Sequence, residues 1–305
     1  MKKVTVVVLF LMAAMAIAQD TPPQSQAQAP RFQTNLTERA QAPTYSDLYC
    51  SGFITKDNIN AANIVSGGQN SPNETLYATG NLIFLEGSGY QEGQRYSVVR
   101  QLHDPNRYEP FVGQKAAILS LGQPYADIGR VRVVALRGAT AVAEVEFTCQ
   151  NITIGDVVMA FQEHPPVAYR KNSSLERFHS GKGRVTARIV MAREFDTVVG
   201  TGQKVYIDAG TNKGIKVGDY FRAVRGYDPN KIDPVDATAY NAPVGDDTQK
   251  VPGKVDRKKS AELPVRNLGQ MIVINATSTT ATAMITNAFE GIEVGDEVEL
   301  EEDQQ

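Results

Sequence analysis

The chain has no tryptophan, three histidines and two cysteines in 305 residues. The missing indoles leave poor material for the aromatic platforms that hold sugars. His103, His164 and His179 are scattered, with none of the close spacing that lets imidazoles share a zinc ion. No Gly-x-Ser-x-Gly elbow is present to expose a nucleophile, and no Gly-x-x-x-x-Gly-Lys-Ser/Thr loop to cradle a phosphate. Positive charge is not in excess either: 31 basic side chains face 34 acidic ones, a net charge of −3. That argues against nucleic acid as a partner, because phosphate binding needs concentrated positive charge. The expectation is therefore no cofactor, no metal and no catalytic residue.

Long apolar runs are also missing, except at the start. Met1-Lys2-Lys3 precedes an apolar stretch from Val4 to Ile17, and Ala16-Ile17-Ala18 offers small residues where a signal peptidase reads. The run falls short of the ~20 residues a bilayer span needs. Residues 1–18 read as a signal peptide, and no later stretch reads as a transmembrane helix. The expected location is periplasmic or secreted, in a bacterium. Two cysteines, an even number, suit an oxidising compartment. Cys50 sits just before the first predicted strand and Cys149 just before a Gly155-Asp156 turn, which predicts a disulfide between them. Two unrelated buried thiols are the alternative.

From 19 to 45 the chain is rich in Gln, Ala, Pro and Thr and poor in aliphatics, a composition that cannot bury enough apolar surface to order itself. Beyond it the sequence repeats. Shifted by 140 positions, residues 128–161 fall on 268–301 without a gap. Ile128-Gly129 meets Leu268-Gly269, Val131 meets Met271, and Gly155-Asp156 meets Gly295-Asp296. Upstream, Ile83 to Glu86 answers Val205 to Asp208, Gly93 to Tyr96 answers Gly218 to Phe221, and Ile64-Val65 answers Ile189-Val190. Stretches such as Ala141 to Phe147 alternate with period two, the mark of half-buried strands. The fold class is mostly β: two tandem small β-barrel-like modules related by an internal repeat. Their spans are 46–163 and 183–305, joined by a linker at 164–182, and the second carries a loop insertion at 227–264. Helix near Ala116 to Leu121 is minor at most.

Three Gly-Asp turns recur, at Gly155-Asp156, Gly218-Asp219 and Gly295-Asp296. Calcium would need several carboxylates packed in one loop, and each turn has a single Asp. A turn glycine followed by a capping Asp is the simpler reading. The pattern from Val205 through Gly210, Gly214 and Gly218-Asp219 to Phe221, then Leu268-Gly269 and Gly295-Asp296, resembles the C-terminal module of flagellar assembly protein T. Similar modules accompany peptidoglycan-binding LysM domains in other bacterial envelope proteins. The resemblance covers most of 184–300 and, more faintly, 64–161, and implies a periplasmic β-module that assembles with envelope parts.

Glu144 and Glu146 share one face of a predicted strand. Paired carboxylates can run glycoside hydrolysis, but a solvated strand face is the simpler reading. The insertion carries five prolines and a basic cluster, Lys254, Arg257, Lys258 and Lys259, which is a candidate partner-binding loop, with a solvated spacer as the alternative. The expected function is a non-catalytic structural or binding protein of the bacterial cell envelope, acting through protein–protein contacts. A secreted peptidoglycan- or polysaccharide-binding protein is the alternative, and an envelope hydrolase stands third. Envelope proteins or cell-wall polymer are the expected partners.

Overall fold

The computed structural model describes residues 41–71, 73–168, 177–179, 185–226 and 264–301. The expected signal peptide, nearly all of the leader, and Lys254, Arg257, Lys258 and Lys259 lie outside the described residues. The first element among the described residues is a short helix, α1 (Tyr45–Tyr49). Its start is written locally. Asp47 N–H donates to the Thr44 hydroxyl while Thr44 N–H donates to the Asp47 carboxylate, a reciprocal cap.

The first module then runs through β1 (Phe53–Thr55), β2 (Ile64–Gly68), β3 (Leu76–Tyr77), β4 (Leu82–Glu86) and β5 (Arg95–Gln101). After helix α2 (Gln114–Leu121) come β6 (Gln123–Arg137), β7 (Thr140–Thr148), β8 (Ile152–Thr153) and β9 (Val157–Ala160). The second module follows with β10 (Phe178–His179), β11 (Thr186–Ala192), β12 (Val198–Val199), β13 (Lys204–Ile207) and β14 (Tyr220–Arg225). It ends with β15 (Val265–Ala276), β16 (Ala281–Ala288), β17 (Ile292–Glu293) and β18 (Glu297–Leu300).

Each module closes a six-stranded antiparallel barrel. In the first the order is β6-β5-β9-β2-β4-β7, and β7 pairs back onto β6. In the second it is β15-β14-β18-β11-β13-β16, and β16 pairs back onto β15. The flanking strands agree as well: β1 adds to β6 as β10 adds to β15, and the ribbon β3–β8 matches β12–β17. Closure removes the edges that an open sheet would leave unpaired. The repeat is thus a repeat of topology, with registers to match. Val131 lies opposite Val145 and Met271 opposite Ile285, all buried in their barrel cores. Val158 and Val298 are buried likewise.

One repeat pairing shifts by a residue. Val65 exchanges backbone hydrogen bonds with Gly155 and Asp156, and Ile189 does the same with Gly295 and Asp296. Val65 therefore corresponds to Ile189, not Val190. Both strands carry a bulge at the next residue, Ser66 and Val190, and a bulge interrupts the period-two pattern that sequence matching follows.

Two repeated glycines have repeated reasons. A Cβ on Gly129 would sit 2.5 Å from Phe147 O, and one on Gly269 would sit 2.3 Å from Asn287 O, so only glycine lets the closing strands meet. Gly155 and Gly295 take φ of 90° and 109°, the left-handed turn that places the following Asp.

Candidate functional site

The Gly-Asp turns are structural, and more than caps. Asp156 Oδ2 accepts Thr153 N–H, and Asp296 Oδ2 accepts Glu293 N–H. Each buried carboxylate also receives a two-pronged guanidinium. Arg100 donates to Asp156 at 2.6 and 2.8 Å, and Arg225 to Asp296 at 2.8 and 2.6 Å. The same arginines reach the carbonyls of Asn151 and Gly291, so each locks its barrel's last turn. Asp219 accepts Lys216 N–H in the plainer capping role. Among the described residues no cluster of His, Cys, Asp and Glu is arranged to hold a metal ion.

Glu144 and Glu146 are engaged by arginines. Arg132 bonds both, at 2.7 and 3.0 Å, while Arg95 and Arg130 bond Glu146. Burial alone would raise the Glu146 carboxyl, but the three arginines outweigh it and hold it below the usual range. A general acid of glycoside hydrolysis needs the opposite shift.

Cys50 and Cys149 form the disulfide, with Cα atoms 5.6 Å apart. Its position shows what it fastens. Cys50 lies between α1 and β1, a segment that sits between the two barrels. On one side β1 pairs with β6 of the first barrel. On the other, its carbonyls accept hydroxyls of the second barrel: Thr282 donates to Gly52 O at 2.8 Å, Thr280 to Ile54 O at 2.7 Å and Thr277 to Ile54 O at 2.8 Å. Leu48 of α1 packs on Tyr220, Ile272, Ile274 and Met284, and Asp47 ion-pairs with Lys204 at 2.8 Å.

The connection between β5 and β6 forms the rest of the seam. Ile118 of α2 packs with Ile54, Val190, Met191 and Tyr206, and Gln114 donates its amide to Val190 O. Phe111 packs against the second barrel's core with the Arg188 guanidinium 5.3 Å from its ring. The first module's added parts thus bind the second module's outer surface.

Where the modules meet, a cleft of about 180 Å³ opens. β1 and the residues after it contribute Phe53, Thr55, Asp57 and Ile59. Strands β5, β6 and β9 bring Ser97, Asp127, Met159 and Ala160, and the segment after β9 brings Gln162 and His164. The second barrel brings Asn275, Ala276 and Thr277. Asp127 Oδ2 accepts Gly52 N–H at 2.8 Å and the Ser51 hydroxyl at 3.3 Å. Burial is the main influence on this carboxyl and raises it to about 6, against the smaller lowering by these bonds and by Arg193. Arg193 is itself ion-paired with Glu194. Burial lowers the His164 imidazole, whose ring stands edge-on to Tyr49 at 5.1 Å.

Ser97, His164 and Asp127 are the residue types of acyl transfer. That chemistry needs them in one hydrogen-bonded series. Among the described residues no hydrogen bond joins any two of them, and Asp127 Oδ2 accepts from the β1 corner instead. The arrangement offers acceptors and apolar wall rather than an activated nucleophile.

The sequence motifs did not lead to Asp127, Asn275 or Phe53. One signal was within reach. Extending the ungapped repeat by a single residue sets Asp127 against Asn267, a charge against an amide. Comparison with known proteins gave no match, either to a family model or to a curated protein.

Proposed function

We propose that this chain is a non-catalytic binding or structural protein of the bacterial cell envelope, periplasmic or secreted, that works through protein–protein contacts. The observation that carries this reading is the seam. One module already recognises the outer surface of another, through threonine hydroxyls on backbone carbonyls and apolar side chains on an apolar patch. Loops and short helices borne on a rigid barrel are a common way to present a binding surface. The disulfide supports an oxidising compartment, the apolar first segment supports export, and the resemblance to the module of flagellar assembly protein T supports the envelope. The basic cluster Lys254, Arg257, Lys258 and Lys259 is the proposed contact within the insertion.

The test is capture from envelope extracts by the secreted chain, run beside binding to purified cell-wall sacculi. Specific protein capture that is lost when 227–264 is replaced by a short Gly-Asn turn is the expected result. Sedimentation with sacculi and no protein capture would favour the polysaccharide-binding alternative and overturn the protein-contact reading.

A further inference from the structure

The repeat makes one residue of the cleft stand out. In the second barrel, position 127 is answered by Asn267, a buried amide whose carbonyl accepts Gly269 N–H. An amide therefore serves this strand position without the desolvation cost of a charge. The first barrel instead keeps a carboxylate there, on the wall of the cleft. A carboxylate kept in a cleft where a neutral group would fold as well suits a ligand that brings positive charge.

We propose that the cleft takes a primary alkylammonium group, the end of a lysine side chain presented by a protein partner. The partner clause rests on the binding reading above; the ammonium chemistry rests on the cleft alone. Asp127 supplies the charge. Asn275, from the other barrel, donates its amide nitrogen to Ser51 Oγ at 3.4 Å, which leaves its carbonyl oxygen to accept from an incoming ammonium. Phe53, stacked on Tyr125 at 5.6 Å, lines the wall, and an aromatic face attracts a cation. Ile59 and Met159 give apolar wall for a methylene stem, as lysine stems prefer. About 180 Å³ admits one slender side chain rather than a folded peptide. Arginine fits less well, because its fork wants both carboxylate oxygens, and Asp127 Oδ2 already holds two donors.

The experiment is an NMR titration of the isotope-labelled secreted chain with Nα-acetyl-lysine methylamide. The Nε-acetylated compound and the arginine analogue run as comparisons. Shifts at residues 52–57, 127 and 275–277 should saturate with a dissociation constant on the order of millimolar, as suits one side chain. The acetylated compound and the Asp127→Asn variant should each bind about tenfold or more weakly, the cost of losing a charge-assisted hydrogen bond. Thermal unfolding of the variant checks that it is folded, as Asn267 at the matching position leads one to expect. Absence of shifts at the cleft, equal binding of the acetylated compound, or undiminished binding by Asp127→Asn would each overturn the site. Ammonium binding by a chain that captures no envelope protein would overturn the partner clause and the reading in the preceding section, while the chemistry of the cleft stood. Capture that survives Asp127→Asn intact would keep the preceding reading and remove the cleft from it.

Discussion

Replacing Asp127 by asparagine should change how stability depends on pH, in a direction set by burial of the carboxyl. The carboxyl ordinarily titrates near 3.8 and burial lifts it to about 6 in the folded chain. A group raised on folding favours the folded state while both states are protonated, below about 3.8, and loses that advantage as pH rises through about 6. At about 1.4 kcal/mol per pH unit, the charge costs about 3 kcal/mol at neutral pH. The amide keeps an acceptor for Gly52 N–H and Ser51 Oγ and never ionises. Urea unfolding of both proteins at several pH values from 3.5 to 7.5 is the assay. Contributions from groups that the substitution does not touch cancel in the difference. The variant should therefore gain on the wild type by about 3 kcal/mol across that window, most of it between pH 4 and 6. A difference that stays flat with pH would refute the claim that Asp127 holds a desolvated charge. A difference of opposite sign would mean that Arg193 stabilises the carboxylate more than burial disfavours it.

Other perturbations test the frame. Removing the disulfide by Cys50→Ser with Cys149→Ser should cost roughly 4–5 kcal/mol in denaturant unfolding, since it closes a loop of sequence separation 99. Arg225→Met should destabilise by about 3 kcal/mol and Arg100→Met by less, because the Arg225–Asp296 pair is the more enclosed, with the arginine 17% exposed against 36%. Leu48→Ala should cost about 2–3 kcal/mol and show in limited proteolysis as earlier cleavage around residues 41–60, because the buried residues it clusters with belong to the second barrel.

The barrels were legible in the sequence and the seam was not. Strands such as β7 announce themselves, because alternate residues meet core and solvent and each choice is local. The 140-residue repeat survives because closed barrels of one topology need glycine at the same crossings, as at Gly129 and Gly269. Cysteine parity and position led to Cys50–Cys149. The seam, by contrast, is built of contacts that no window contains. Ile54 O and Thr280 Oγ1 are 226 residues apart in sequence. Helix α2, at Gln114–Leu121, buries Gln114 and Ile118 against another module and leaves Leu119 exposed, so no apolar stripe at helical spacing marks its buried face. The short α1 has a cap, Thr44 with Asp47, but too few turns for periodicity to register. The slip at Val65 arose because a bulge lets tertiary pairing override alternation.

The outward positions, where the two copies disagree, are where their roles part. Ile272 and Met284 lie opposite each other on the second barrel, fully buried under Leu48. The same register positions of the first barrel hold Arg132 opposite Glu144, an ion pair with both side chains about two-fifths exposed. Likewise Tyr206 opposite Thr282, both sealed in the seam and donating their hydroxyls to carbonyls of Ser51 and Gly52, are answered by Phe84 opposite Val142, which have no hydroxyl to donate. Core positions are held in common because both barrels must close. Outer positions differ because one face is written to be covered and the other to meet water, as the terminal units of repeat proteins are. The stacking contact is therefore directional: the first module's helices and flanking strand fit the second barrel's outer face, whose Ile272 and Met284 are answered on the first barrel by the ion pair of Arg132 and Glu144. On that logic, differences between the copies carry more functional information than their agreements, and Asp127 against Asn267 is the difference that lies in a cleft.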